Sequence, residues 1–483
     1  MSKDGLLVGW AEVDITPDAV VDLSGQYYHR ISRGIHSRLS ATALALESAD
    51  KVQAMFVSFD SVGFQVGFLE DLRTAVHADL PELDASAIIM NVTHSHNAPG
   101  VDLISGIGWL AELPDAMPIQ TYRTFLLGKL KSAVISAWKN RGAGGLANAF
   151  GHARVGHCRR AVYAGEVAEM YGCTDRDDFT GMEGGEDSGI DLLFTFDTSG
   201  KPTGAIVNLA CPNQVMEATY LVSSDFLGDT RRRLKERFGA DFRMLGQISA
   251  AGDQAPRDLI RHARGEPDFW NEDGVAELGK RVASTVEAAF ATTNGKIEYE
   301  PVFRHTVKKL ILPRRRASEA DFQIAEKRLK ELETHMNEAE AYSDFCEEVS
   351  WNEKIPGRPG PYDSKLHHFV LIQNNKAVVA RHAIQDSQPS LEIESHILRL
   401  GNSAFATNPF ELYLDFGHRM KARSAADQTF VVQLCGGTGG YLPSEKAEQL
   451  GGYGGLIING EVGSAGGALL VDETIRVIAE LWK

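Results

Sequence analysis

The chain has 483 residues, of which 43% are hydrophobic and 24% charged, a composition ordinary for a globular protein with a sizeable core. Its 65 acidic residues outnumber the 49 basic ones and give a formal net charge of −16, which argues against nucleic-acid binding and against docking on anionic membranes, because both need a basic face. The five cysteines are scattered and form no CxxC pair, and the N-terminus lacks the apolar core of a signal peptide, so we expect a cytoplasmic protein. The sequence has no apolar run of about 18 residues, which predicts no integral membrane association.

Apolar runs in the first half of the chain alternate between the patterns of strands and helices. The periodicity predicts strands over residues 6–13, 41–46, 54–59, 87–91, 192–196 and 204–209, and helices over residues 64–77, 119–139 and 226–238. Residues 156–189, rich in Gly, Asp and Glu, are predicted to form a long irregular loop.

The second half continues the alternation. We expect strands over residues 244–248, 302–312, 404–407 and 430–434, and helices over residues 274–291 and 318–341, the latter with Ser318 as its N-cap. A loop is predicted over residues 342–366. The sequence therefore predicts an α/β fold of mixed β-sheets flanked by helices, organised as a single domain over residues 1–483, with residues 313–366 as a helical insertion or lid.

Two histidines follow the strand predicted over residues 87–91. His94 and His96 are spaced i, i+2, and on an extended backbone alternate side chains share a face, so both imidazoles can point into one pocket. Neutral imidazole is a common zinc ligand, but a metal site needs three or four ligands, which must then come from elsewhere in the chain. The alternative is that both rings hydrogen-bond to nearby carbonyls and hold no metal.

Six segments, in chain order, resemble the motifs of one family. They are Glu12-Val13-Asp14-Ile15-Thr16-Pro17, Arg33-Gly34-Ile35-His36, Thr93-His94-Ser95-His96-Asn97-Ala98-Pro99-Gly100, Ala251-Gly252-Asp253-Gln254-Ala255-Pro256, Asn408-Pro409-Phe410-Glu411 and Gly440-Tyr441-Leu442-Pro443. The family that they resemble is the neutral (non-lysosomal) ceramidase catalytic domain, and within it a bacterial ceramidase-like branch. The resemblance implies a zinc-dependent amidase with a mixed α/β fold.

The resemblance also implies roles for particular residues. In the family, two histidines, a glutamate and a tyrosine hold the metal, and a serine attacks the amide carbonyl. Matched by motif, His94 is the first ligand histidine and His96 lies beside it in the pocket. Glu411 is the ligand glutamate and Tyr441 the ligand tyrosine.

This chain departs from the family at the second ligand histidine. Pro212 occupies that position, and a proline side chain cannot bind a metal. Gln214, Glu217 or Cys211 could substitute, with Gln214 preferred. We expect a divalent metal, most simply zinc, although oxygen ligands would also suit Mg, Ca or Mn.

The serine nucleophile is absent as well, because Ala255 occupies its position. A metal-bound water could attack directly, since a metal can lower the pKa of that water to about 7. Asp253 is then the expected general base, although its carboxylate could instead cap a helix.

These observations predict a metal-dependent hydrolase that cleaves an amide or ester bond in a small molecule other than ceramide. His96 and Asp253 are its candidate catalytic residues, and Arg160 could clamp an anionic or hydroxyl-rich group, or form a surface ion pair. One alternative is a carbohydrate-processing enzyme that uses Asp253 and Glu186 as a carboxylate pair. Its polar site would draw on residues that include Tyr27, Tyr28, His29 and Trp109. A further alternative is a non-catalytic binding protein. Composition does not predict the oligomeric state.

Overall fold

The residues predicted as strands lie in two large sheets of the computed structural model, which describes residues 5–26, 29–102, 115–267, 269–353 and 367–483 and also contains three small sheets there. The strands, numbered in chain order, are β1 Leu7–Asp14, β2 Ser40–Glu47, β3 Gln53–Phe59, β4 Ile88–Val92, β5 Gly142–His152, β6 His157–Cys158, β7 Arg160–Tyr163, β8 Val167–Met170, β9 Phe179–Met182, β10 Gly189–Asp197, β11 Pro202–Leu209, β12 Arg243–Ile248, β13 Gln254–Ala255, β14 Phe303–Pro313, β15 Ser390–Leu400, β16 Ser403–Thr407, β17 Glu411–Leu412, β18 Gln428–Val432 and β19 Tyr441–Leu442. The helices are α1 Val66–Asp79, α2 Ile119–Lys139, α3 Asp225–Phe238, α4 Leu259–Ala263, α5 Asn271–Phe290, α6 Glu319–His335, α7 Glu338–Glu353, α8 His368–Ile384, α9 Leu414–Arg423, α10 Glu445–Leu450 and α11 Ser464–Leu481.

The larger sheet contains, within the described ranges, eight strands in the order β12-β11-β10-β5-β1-β2-β3-β4. Most neighbours are antiparallel, but β3 and β4 pair in parallel, as do β11 and β12. Strands β2, β3 and β4 are buried along almost their whole length, which explains their nearly continuous apolar runs. The predicted mixed α/β class is confirmed.

The second large sheet, β14-β15-β16-β18, packs face to face on the first. Phe56 of β3 and Phe405 of β16 meet across the interface, with ring centroids 5.3 Å apart. Helices α1 and α2 cover one half of the outer face of the large sheet, α3 and α5 cover the other half, and α9 and α11 pack on the second sheet. These layers follow the order helix, sheet, sheet, helix. No helix in the described ranges is long and apolar enough to cross a membrane.

The connection between β14 and β15 carries helices α6, α7 and α8. These helices share a small core of their own, which includes Leu332, Phe345 and Phe369. Ser318 is the N-cap of α6, as predicted, and forms a capping box with Asp321. The helical segment extends to Ile384, beyond the predicted boundary at residue 366.

Two predictions about this connection were wrong. The helix predicted over residues 318–341 ends at His335, because Met336 has an extended backbone. A second helix begins at Glu338. The side chain of Asn337 accepts a hydrogen bond from the backbone N–H of Glu340 at 3.0 Å, in the first turn of this helix. The loop predicted over residues 342–366 is helical as far as Glu353, while residues 354–366 lie outside the described residues.

The prediction of an irregular loop over residues 156–189 was also wrong in part. The segment contains β6 and a three-stranded sheet in the order β8-β7-β9. Its strands are only two to four residues long, too short to show a clear alternation of polar and apolar residues. This small sheet matters because it forms one wall of the candidate site.

Candidate active site

Four elements bring the candidate side chains together. His94 and His96 lie just after β4, at its carboxyl end. Glu411 and Tyr441 are direct register partners in the parallel pair of β17 and β19, so their side chains leave the backbone next to each other. Arg159, between β6 and β7, reaches the same place from the small sheet.

The two imidazoles face one another. The Nε2 atoms of His94 and His96 are 3.2 Å apart, and Oε2 of Glu411 lies 3.5 Å from Nε2 of His94. Nδ1 of His94 lies 2.7 Å from the carbonyl oxygen of Val62, so Nδ1 must be the protonated nitrogen and Nε2 carries a lone pair. Burial lowers the pKa of His94 well below its usual value, and the nearby His96 and Arg159 lower it further, so the ring is neutral at pH 7.

Glu217 approaches His96 from the opposite side. Its Oε2 lies 3.1 Å from Nδ1 of His96, although the angle is outside that of a well-formed hydrogen bond. Burial alone would raise the pKa of Glu217, but the contact with His96 and the charges of Arg159 and Arg30 outweigh it and lower this pKa. Arg30 also donates to the backbone carbonyls of Glu217 and His96, which holds the two segments together.

Arg159 contacts the other members of the site. Its Nη2 donates to the hydroxyl oxygen of Tyr441 at 3.1 Å and to the carbonyl of Gly252 at 2.8 Å, and lies 3.7 Å from Oε2 of Glu411. Burial raises the pKa of Glu411, and the nearby Arg159 counteracts this rise. Burial also raises the pKa of Tyr441 well above its usual value, so its phenol is a hydrogen-bond donor at neutral pH.

A cavity of about 370 Å³ opens onto these groups. His96, Arg159, Glu217 and Tyr441 line its inner part. The remaining walls come mainly from the small sheet and the segment around α4, and they include three aromatic side chains, those of Tyr171, Trp270 and Tyr453. The volume is at the low end of the range of about 300–1,000 Å³ that is typical of small-molecule sites.

Gln214, the preferred substitute for the missing ligand histidine, lies behind Glu217. Its Nε2 donates to the hydroxyl of Tyr171 at 2.7 Å and to Oε2 of Glu217 at 3.3 Å. Cys211, another possible substitute, is fully buried, and burial raises the pKa of its thiol well above the usual value. Of the three substitutes, Glu217 is the one that lines the cavity.

Three further residues predicted from sequence lie outside the described lining of this cavity. Asp253 is buried and its Oδ1 accepts the backbone N–H of Leu414 at 2.9 Å, at the start of α9. Arg160 is fully buried and its Nε donates to Oε2 of Glu183 at 2.7 Å. Glu186 lines a neighbouring cavity of about 410 Å³.

Two basic side chains, Arg154 and His157, hold Glu186 in this position. Arg154 binds its carboxylate with two hydrogen bonds of 2.8 and 2.9 Å, and Nδ1 of His157 lies 2.9 Å from it. These contacts offset the effect of burial and lower the pKa of Glu186 to about 2. Tyr27, Tyr28 and Trp109, suggested for a sugar site, lie outside the described residues.

Sequence reasoning did not identify Arg159 or Tyr171. The signal for Arg159 was the Arg159-Arg160 pair, since neighbours on an extended segment point in opposite directions and one of them had to face the interior of the site. The positions of β6 and β7 relative to β13 determine whether Arg159 or Arg160 faces the site. Ala255, at the position of the family's serine, is fully buried in β13 opposite His157.

The donor groups partly match the metal site that the family resemblance implied. Within the described ranges, no three His, Cys, Asp or Glu side chains, as placed, form a group that could hold a metal ion. Glu411 approaches one of the imidazoles, and the phenol of Tyr441 lies beside it. The two Nε2 atoms are 3.2 Å apart, so one ring donates a hydrogen bond to the other when no metal is bound, and the same pair of nitrogens could instead face a divalent metal.

Comparison with known proteins supports the fold. No family model matches the chain, and no curated protein matches its sequence. The structure is similar to that of neutral ceramidase from Pseudomonas aeruginosa, with a TM-score of 0.70 and 17% identity over 99% of this chain and 75% of that chain. A second solved structure, a ceramidase complexed with C2, gives a TM-score of 0.69 and 15% identity over 99% of this chain and 76% of that one. The chain therefore has the neutral ceramidase fold.

Proposed function

We propose that this chain, on its ceramidase fold, is a metal-dependent hydrolase that cleaves an amide or ester bond in a small molecule other than ceramide. The observation that carries the proposal is the opposed pair of imidazoles, His94 and His96, with the carboxylate of Glu411 beside them. Two nitrogen donors, a carboxylate and a phenol from Tyr441 are a donor set that suits zinc.

The orientation of the rings supports this proposal. His94 is neutral and fixed by Val62, so its Nε2 lone pair is available to a cation. His96 has a carboxylate near its far nitrogen, the arrangement by which proteins commonly orient a metal-binding histidine. A bound divalent metal would supply Lewis-acid chemistry and lower the pKa of a bound water to about 7.

The remaining groups would act on the substrate carbonyl. Arg159 and Tyr441 both carry hydrogen-bond donors beside Glu411 and His94. Donors that are already in place where negative charge develops stabilise an oxyanion strongly, because they need no reorganisation during the reaction. We assign Arg159 to hold the carbonyl oxygen, Tyr441 to the donor set of the metal, and Glu217 to orient His96.

The structure offers less support for a carbohydrate-processing enzyme. That alternative needs Asp253 and Glu186 to face one substrate, with a separation of about 5–9 Å between the carboxylates. Asp253 accepts a backbone N–H at α9, and Glu186 is bound to Arg154 and His157 beside a different cavity. A non-catalytic binding protein is the alternative that the following experiment separates from a hydrolase.

The test measures metal content and hydrolysis together. The full chain, purified without chelator, is analysed by mass spectrometry for divalent metals and assayed against a panel of small amides and esters. We expect about one metal per chain and turnover of at least one class, with both lost in His94→Ala and Glu411→Ala. His77→Ala, in the exposed last turn of α1, is the matched control and keeps both. A wild-type chain without bound metal, or activity that is unchanged in Glu411→Ala, would contradict the proposal.

A further inference from the structure

Arg257 gives the 370 Å³ cavity a recognition feature of its own. Arg257 lies two residues after Ala255, and its side chain lines the cavity although the residue is only 8% exposed. The guanidinium carbon lies 4.9 Å from the ring centroid of Trp270, over its face. Nη2 lies 3.1 and 3.3 Å from the two ring nitrogens of His262 at the rim. These two rings contribute to holding the guanidinium in the wall.

Trp270 adds a second donor to this wall. Its indole N–H is buried and has no hydrogen-bond partner among the described residues. A buried donor without a partner is unfavourable, so such a group commonly marks a place where a ligand or a water is expected. Tyr171, which also lines the cavity, is close enough for the charge of Arg257 to affect its phenol.

The reacting groups and Arg257 line the same small space. His96, Arg159 and Tyr441 form the inner wall, and Arg257, His262 and Trp270 form another part of it. The aliphatic lining that the structure describes is limited to Met170, Leu259 and two alanines. The described walls offer aromatic faces and donors in place of an apolar channel for a long acyl chain, and a ligand of this volume is small.

We propose, on the basis of the function proposed above, that the substrate is a short amide or ester that carries a carboxylate, of the N-acyl amino acid class, and that Arg257 binds this carboxylate. The planar guanidinium matches a carboxylate with two parallel hydrogen bonds. The scissile bond then lies toward His96, Arg159 and Tyr441, and a short apolar or aromatic group lies against the rings between them.

The first experiment measures recognition without chemistry. Calorimetry compares 4-phenylbutanoate with 4-phenylbutan-1-ol, which share a body but differ in charge and contain no amide or ester. We expect the carboxylate to bind the wild-type chain at least tenfold more tightly, and this preference to disappear in Arg257→Met. Arg264→Met, an exposed arginine in the turn after α4, keeps it. Arg257→Lys keeps part of it, which also guards against a folding defect in the methionine variant.

The second experiment measures turnover of a matched pair, N-acetylphenylalanine and N-acetylphenylalaninamide, by release of acetate. We expect kcat/KM to be at least tenfold higher for the acid, through KM, and the two substrates to become equal in Arg257→Met. A carboxylate preference that is absent from the wild type, or unchanged in Arg257→Met, would overturn the inference. A preference in binding that depends on Arg257, without hydrolysis of either compound, would uphold the recognition site and refute the N-acyl amino acid substrate class, while the metal analysis and the panel of amides and esters described above decide whether the chain is a hydrolase.

Discussion

The Nε2 atoms of His94 and His96 face each other at 3.2 Å, and each ring has an oxygen acceptor at its far nitrogen. The carbonyl of Val62 accepts from His94, and the carboxylate of Glu217 lies 3.1 Å from Nδ1 of His96. The lone pair on Nε2 of His94 is therefore directed into the gap between the rings, toward Nε2 of His96. His94 reaches this position with a backbone φ of +62°, a conformation that few non-glycine residues adopt.

The role of Glu217 gives the first prediction. If this carboxylate orients His96, Glu217→Gln should lower metal affinity and kcat by about 10–100-fold, the usual effect of losing such a partner. Metal titration and steady-state kinetics measure both. Glu166→Gln, in an exposed turn, should change neither. Equal kinetics for the two variants would show that His96 does not need Glu217.

Arg159 and Arg160 are neighbours with different expected roles. Arg159→Met should reduce hydrolysis strongly, because it removes a donor beside Tyr441 and Glu411. Arg160→Met should instead lower the free energy of unfolding by about 3–5 kcal/mol, because it leaves the buried carboxylate of Glu183 without its ion pair. Kinetics and urea unfolding on both variants provide the comparison, and each serves as the control for the other. The reverse pattern would contradict the assignment.

Gly25 is expected to be essential for the position of His96. It has a φ of +107°, and a Cβ at this position would lie 2.7 Å from Cγ and Nδ1 of the His96 ring. Gly25→Ala should therefore displace the imidazole, and a displacement of about 1 Å can reduce catalysis on the order of 100-fold.

Gly165→Ala is the matched control for this prediction. Gly165 has a similar φ of +91°, but a Cβ there meets no atom within 4 Å. This variant should be destabilised by roughly 1–2 kcal/mol through backbone strain and should keep its activity. Thermal unfolding and kinetics on the two variants separate strain from the displacement of His96.

A buried ion pair between α1 and β15 predicts acid sensitivity. Burial would raise the pKa of Glu394, but its contacts with His396 and Arg73 outweigh this and lower the pKa to about 2. Because the pKa is lower in the folded protein than in the unfolded chain, the pair stabilises the fold above about pH 4.5, and this contribution is lost as the pH falls toward 2. It amounts to about 3 kcal/mol at most.

Urea unfolding between pH 7 and pH 2.5 tests this dependence. The free energy of unfolding of the wild type should fall as the pH drops below about 4.5, and Glu394→Gln should reduce that fall by up to about 3 kcal/mol. Glu392→Gln, the exposed residue on the same strand that pairs with Lys309, should behave like the wild type. An unchanged pH profile in Glu394→Gln would contradict the predicted contribution.

The sequence predicted several long, regular elements well, although it predicted neither strand β5 nor helix α8. The helix predicted over residues 119–139 has those bounds, and the strand that leads to His94 lies at residues 88–92. Both have strong periodicity or a continuous apolar run. The short strands of the small sheet have neither, and their pairing depends on contacts between segments that are distant in the sequence.

The candidate site was predictable only in part for the same reason. His94, His96, Glu411 and Tyr441 were named from motifs, and the structure places His94 near both His96 and Glu411 and places Tyr441 beside Glu411. Whether these residues bind a metal stays a prediction. The orientation of Arg159 and the contact of Glu217 with His96 could not be deduced, because they depend on how the small sheet and the segment after β11 lie against β4.

The helical connection between β14 and β15 starts and ends at one point of the sheet, since Pro313 and Ser390 are direct register partners. Residues can therefore be inserted or removed between Pro313 and Ser390 without shifting the register of β14 and β15. This hairpin end is a natural junction for engineering: a short turn could replace the three helices, or a foreign domain could be grafted in their place, while the pairing of β14 with β15 is kept.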